Sequence, residues 1–127
     1  MQSILLVGAG GALGAVGRYG AGVAFVRLGV IGFPWATVAI NVSGSLLMGV
    51  LIGLLAQTLP AWQNEARLFL AVGVLGGYTT FSAFSLDVVT LFERGEILPA
   101  TLYIAFSVAA SILALVFGLL LMRWVLP

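Results

Sequence analysis

The segment Gly73-Val74-Leu75-Gly76-Gly77-Tyr78-Thr79-Thr80-Phe81-Ser82-Ala83-Phe84 places glycines, threonines and phenylalanines together inside an otherwise apolar run, from about Ala66 to Leu91. Glycine and threonine are poor helix-interior residues. At about 1.5 Å per residue, Gly76 to Thr79 lies roughly 15–20 Å into a hydrocarbon core about 30 Å thick, close to the midplane. A helix broken there presents free carbonyls at the end of its first half and free N–H groups at the start of its second. In hydrocarbon each unsatisfied group costs several kcal/mol, so the break requires protein, ion or water to satisfy it. The carbonyls attract a hard cation, and the N–H groups favour an anion. Broken midplane helices mark ion sites in many transporters. The alternative is a glycine-rich kink that only lets another helix approach closely.

Other polar residues stand out against the apolar background. Asn41, Ser45, Gly49 and Gly53 recur every fourth residue and so share one helical stripe, whose lower part is a small-residue packing face and whose upper part carries Asn41. The Asn41 amide offers two donors and an acceptor, for an ion path or for an interhelical hydrogen bond. Tyr103, Ser107 and Ser111 repeat at i, i+4, i+8, a hydroxyl track about 12 Å long, unless each hydroxyl bonds back to its own helix. Arg18 lies inside the first apolar run, where it either snorkels to the interface or faces a water-filled vestibule and holds an anion. Asp87 is the only acid between residues 66 and 91. Its place near the Glu93-Arg94-Gly95-Glu96 turn suits the interface or a helix partner better than proton transfer. The early Gly8-Ala9-Gly10-Gly11-Ala12-Leu13-Gly14 run fails as a dinucleotide fingerprint, because Leu13 occupies the last glycine position and no acid follows at the required distance. Glycines at 8, 11, 14, 17 and 20, with Gly10 and Gly14 four apart, read instead as a close-packing face.

The elements that position these residues follow from composition. A chain of 127 residues that is 62% hydrophobic and 7% charged, with mean hydropathy +1.24, cannot hide its apolar surface as a soluble domain. It reads as a single all-α membrane domain over 1–127, with four spans: Gln2–Val26, Pro34–Gln57, Ala66–Leu91 and Ile97–Trp124. Pro34 suits a first helical turn, and Pro60, Trp62 and Trp124 suit membrane interfaces. The first run lacks the basic flank of a signal peptide and is too long for its apolar core. The absence of Cys and His removes thiolate and imidazole chemistry, no paired carboxylates sit at depth, and no basic face suggests nucleic acid. Four spans put Arg67 and Arg123 on one side and Arg27 and Arg94 on the other, joined by Arg18 if it reaches that far. This near-absence of bias permits insertion both ways, and four short helices enclose little pore. Both points suggest a homo-oligomer, with an antiparallel dimer supplying the inverted halves of larger transporters.

Gly73-x-x-Gly76-Gly77-x-Thr79-Thr80-Phe81-Ser82-x-Phe84 resembles the signature of the small fluoride channels, the Fluc or CrcB family. Thr37-x-x-x-Asn41-x-x-Gly44 with Gly49, Gly14-x-x-x-Arg18-Tyr19 and the Tyr103/Ser107/Ser111 track are similar to that family too. The one departure is Ala83, where many members carry Thr. The resemblance implies an antiparallel, dual-topology homodimer in the lipid of the bacterial inner membrane. It implies two pores that let cytoplasmic fluoride leave passively. Asn41, Thr80, Phe81, Ser82, Phe84, Tyr103, Ser107 and Ser111 would line them, with Arg18 at the vestibule. It also implies a structural Na⁺ at the dimer centre, held by the backbone carbonyls of Gly76 and Thr79.

Two other functions fit parts of the pattern. A small proton-coupled exporter of drugs or cations can also be a four-helix dimer, but it needs a membrane-embedded titratable group, and the first span has no acid. A packing subunit without transport activity accounts for the glycines but not for the aligned Asn, Ser and Tyr stripes.

Overall fold

The computed structural model describes residues 1–58 and 61–126, so Pro60 of the second loop lies outside the described residues. Among them every regular element is helical. Helix α1 is Gln2–Arg27 and α2 is Trp35–Thr58. Helix α3 covers 63–78, α4 is Phe81–Glu93 and α5 is Ile97–Val125. Four runs are long and apolar enough to cross a membrane: α1, α2, α3 with α4 (Gln63–Glu93), and α5. The expected spans are thus present, the third longer at both ends: Gln63–Ala66 add a first turn, and the helix continues to Glu93.

The helix ends follow from single residues. Gly29 and Gly95 have φ of 73° and 76°, the left-handed conformation that glycine adopts without penalty. After α1, Gly29 N–H donates to Val26 O and Val30 N–H to Phe25 O. After α4, Gly95 N–H donates to Phe92 O and Glu96 N–H to Leu91 O. Each pair is a Schellman closure that satisfies the last carbonyls. Pro34 stands immediately before α2, and its carbonyl accepts Val38 N–H at 3.3 Å.

Two glycine-faced helix pairs build the bundle. In the first, α1 lies on α3. A Cβ added to Gly14 would run into the Val74 carbonyl and would stand 2.7 Å from Tyr78 N, and one added to Gly77 would stand 2.5 Å from Gly11 O. In the second, α2 lies on α5. Gly49 faces the Leu115 carbonyl, Gly118 faces that of Leu46, and a Cβ on Gly53 would meet Met122 Cβ at 2.7 Å. Gly10 and Gly14 on α1 and Gly49 and Gly53 on α2 are therefore real packing positions, whereas Gly8 and Gly20, expected on the α1 face, meet nothing within 4 Å because the helix turns them away from α3. Such contacts matter in lipid, where helices associate through close packing rather than through water release. The pairs meet at Gly44, which has no side chain and faces Tyr78 and the Thr79 methyl. A core of Val38, Phe84, Leu91, Ala100 and Tyr103 fills the junction of α2, α4 and α5.

The third span differs from a plain α-helix in two places. Arg67–Leu75 winds as a π-helix, with Gly76 N–H reaching back to Ala71 O. The chain then leaves the helix at Thr79 and Thr80, close to the middle of the span, and resumes with a bend of only 15°. The interruption falls on the threonines at the end of the stretch identified from sequence. Gly76 and Gly77 remain helical.

These contacts give a direct expectation. Gly14→Ala and Gly49→Ala each force backbone apart and lower unfolding stability by about 1–3 kcal/mol. Gly20→Ala, with nothing within 4 Å, leaves it unchanged or raised by up to about 1 kcal/mol. Thermal melting of the purified variants in detergent checks this, and equal midpoints for all three would contradict the packing scheme.

Candidate functional site

Thr79 (φ −73°, ψ 159°) and Thr80 (φ −152°, ψ 121°) are extended, so the carbonyls and N–H groups around them lose their helical partners. The structure replaces those partners one by one. Thr79 N–H and Thr79 Oγ1 both donate to Leu75 O, at 3.0 and 2.9 Å. Thr80 Oγ1 accepts Ala83 N–H at 3.1 Å and caps α4, the role Thr plays before a helix. Thr80 N–H, which an unbroken helix would give to Gly76 O, goes instead to Asn41 Oδ1 at 2.8 Å. Asn41 Nδ2 donates to Thr80 O at 3.0 Å. The Asn41 amide thus pairs with Thr80 as a neighbouring strand would. From α1, Arg18 Nη1 donates to Thr79 O at 3.2 Å. Arg18 is therefore turned inward onto the break rather than outward to the interface.

Beside the break runs an open groove of about 370 Å³, bounded by α2, α4 and α5. Asn41, Ser45, Thr79, Thr80, Phe81, Phe84, Ser107 and Ser111 line it, with Met48 and Leu115 among the apolar residues and no charged side chain. Phe81 and Phe84 are tilted neighbours with centroids 5.5 Å apart. Phe84 is buried, whereas Phe81 is 77% exposed and projects from the single chain. Ser107 Oγ is buried without a hydrogen-bond partner among the described residues. An unpartnered buried hydroxyl is costly, so it marks a place suited to a polar visitor.

The expected site residues separate into groups. Asn41, Thr80, Phe81, Phe84, Ser107 and Ser111 come together on the groove, and Ser107 does not bond back to its helix. Tyr103 lies beneath it: its ring packs on Phe84 at 5.2 Å, and its hydroxyl donates to Asp87 Oδ2 at 3.0 Å. Ser82 is exposed and stands off the groove, its Oγ 3.3 Å from Thr80 Oγ1. Gly76 is exposed on the open side, where an added Cβ would meet only Ala71 O at an ordinary 3.6 Å.

Two arrangements were not legible beforehand. Thr37 Oγ1 donates to Asp87 Oδ2 at 2.7 Å, so Asp87 takes helix partners from α2 and α5 at once. Tyr78 OH pairs with Ser43 Oγ at 3.1 Å and ties the end of α3 to α2. The only sequence signal for either was a polar side chain at depth, which says that a partner exists but not which one.

Comparison with known proteins places this geometry. Residues 5–119 match the family model described as CrcB-like protein, Camphor Resistance (CrcB). A protein of Hyphomonas neptunium named fluoride-specific ion channel FluC is 51% identical over 123 residues, covering 97% of each chain. Proteins of the same name from Agrobacterium fabrum and Rhodospirillum centenum are 52% and 53% identical, each covering 97% of this chain and 98% and 97% of their own. Matches of this extent cover all four spans and nearly the whole chain, and the chain belongs to the CrcB-like family.

Proposed function

We propose that this chain forms a passive, fluoride-selective channel in the bacterial inner membrane, assembled as an antiparallel homodimer with two pores and a structural Na⁺ at its centre. The observation that carries this reading is the groove: two phenyl rings, a carboxamide and unpaired hydroxyl capacity line it together without a fixed charge. The name of the relatives, fluoride-specific ion channel, agrees with it. An aromatic ring has a positive edge, so Phe81 and Phe84 can touch a small anion without trapping it. One N–H of Asn41 is engaged by Thr80 O, and the second remains to donate to the same ion. Ser107 and Ser111 can replace part of the ion's water further along. Conduction needs this balance of capture and release. A proton-coupled exporter fits less well, because Asp87 is engaged by Thr37 and Tyr103 and does not line the groove.

The cation reading has a structural basis in the break. Gly76 O has lost the Thr80 N–H to Asn41, and Gly76 faces the open side. Two chains related by a two-fold axis would bring the Gly76 and Thr79 carbonyls of both to one point. An all-oxygen, uncharged donor set of that kind suits a hard cation. Bound there, the ion neutralises converging carbonyl dipoles and holds the chains together.

The test of function is fluoride release from loaded liposomes. Release should require both the protein and an added K⁺ ionophore that balances charge, and chloride-loaded liposomes should stay closed. No release, or equal release of the two anions, would contradict the reading. Phe81→Ile and Phe84→Ile keep apolar bulk but lose the ring edge, so each should cut flux at least about tenfold with dimer formation intact. Near-normal flux in both would return the pair to ordinary packing.

Assembly has a separate test. Two or three Lys added to one loop should lock each chain in one orientation. Either locked chain alone should be inactive, and co-expression of oppositely locked chains should restore flux. Full activity from one locked orientation would refute the antiparallel dimer.

A further inference from the structure

Arg18 presents a problem that the channel reading does not absorb. Its guanidinium donates to Thr79 O at 3.2 Å, and this carbonyl is one of the two assigned to the cation. A carbonyl oxygen has two lone pairs and can accept both partners. Their charges nevertheless oppose each other. A cation at an ordinary oxygen-ligand distance of about 2.4 Å lies no more than about 6 Å from the bonded guanidinium nitrogen. No carboxylate offsets this on the donor side, because Gly76 and Thr79 offer only neutral oxygens. Among the described residues no cluster of acids able to hold a metal exists. Asp87, the acid inside the third span, is held by Thr37 and Tyr103 instead.

We propose that Arg18, bonded to the Thr79 carbonyl, is a valence filter on the cation site, weakening cation binding in proportion to charge so that the site admits a monovalent ion and refuses a divalent one. The inference rests on the cation reading above and adds a residue that sets its specificity. Coulomb repulsion scales with the product of charges, so the guanidinium opposes Ca²⁺ or Mg²⁺ twice as strongly as Na⁺. Attraction to the carbonyls doubles as well, but the cost of dehydrating a divalent ion rises faster than its charge, and with the repulsion added and no carboxylate to offset it the divalent ion is refused. The bilayer interior screens this poorly. The arginine cannot relieve the repulsion by losing its proton. Gly14 and Gly17 of the adjoining turns lie against Tyr78, which brings the α1 backbone close to the break, and the hydrogen bond to Thr79 O holds the charge beside that oxygen. Arg18 acts here through the Thr79 carbonyl and is a positioning residue with a fixed charge.

The experiment uses purified full-length protein in Na⁺-free buffer at constant ionic strength, titrated separately with NaCl and CaCl₂. Thermal melting midpoint and a direct binding isotherm are the readouts, independent of flux. Arg18→Gln keeps an amide donor for Thr79 O and removes the charge, while Arg18→Lys keeps the charge. Wild type should show saturable stabilisation by Na⁺ and none by Ca²⁺. Arg18→Gln should bind Na⁺ about tenfold more tightly and gain a saturable response to Ca²⁺. Arg18→Lys should retain the wild-type preference for Na⁺. Unchanged affinity and preference in Arg18→Gln, or weakened Na⁺ binding in both variants, would overturn the filter while leaving the cation site standing. Absence of any saturable cation response in all three proteins would instead defeat the cation site itself, and the filter with it.

Discussion

A backbone group in hydrocarbon must find a partner inside the protein, and this constraint governs the whole bundle. The third span breaks it at Thr79 and Thr80, where an extended pair interrupts the helix at mid-depth. The repair comes from two other helices: Asn41 on α2 pairs both polar groups of Thr80, and Arg18 on α1 takes Thr79 O. Interhelical hydrogen bonds in membranes are worth about 0.6–2 kcal/mol, whereas an orphaned backbone group costs several. The clamp is therefore less a source of stability than a condition for the break to exist. Both side chains must arrive at the right height, which fixes the register of α1 and α2 against α3.

The glycine faces meet that condition. Gly10 and Gly14 bring the α1 backbone against Val74 and Tyr78, so Arg18, one turn further along, reaches the break. Gly44 leaves room for Tyr78 and Thr79 one turn from Asn41, and Gly49 with Gly118 draws α5 onto α2. The same approach puts Ser107 and Ser111 opposite Asn41, across a groove whose remaining wall is Phe81 and Phe84 on the resumed helix. The groove is a consequence of the break, because the resumed helix begins at the height where its first phenylalanine meets the groove.

Spans, loops, packing glycines and the interrupted segment were legible in the sequence because each depends on local spacing. Gly10/Gly14 and Gly49/Gly53 announce close helix approach, and the apolar runs announce their own length. The groove-lining residues were legible in part, since polar side chains at depth are rare enough to single out. What spacing cannot give is pairing between helices. Asn41 as a clamp, Arg18 as a donor to Thr79 O, and the Thr37–Asp87–Tyr103 link each join residues far apart in the chain. The exact position of the break was also out of reach. Glycines weaken a helix everywhere, but only the side-chain partners waiting for Thr79 and Thr80 decide where it opens. The π-helical winding of Arg67–Leu75 left no mark in the pattern at all.

Tyr103 illustrates the same limit from the other side. It shares a stripe with Ser107 and Ser111, yet its hydroxyl turns to Asp87, and its ring supports Phe84 from beneath. The central claim that remains is that Ser111 and its neighbours face an ion path whereas Leu113, on another face of α5, does not. The chain has no native cysteine, so one introduced thiol is unique. Fluoride release should therefore be measured before and after a small neutral thiol reagent acts on Ser111→Cys and on Leu113→Cys, the latter replacing a residue 66% exposed. Modification at 111 should block release and modification at 113 should leave it unchanged. Equal sensitivity at both positions, or block at 113 alone, would contradict the path described.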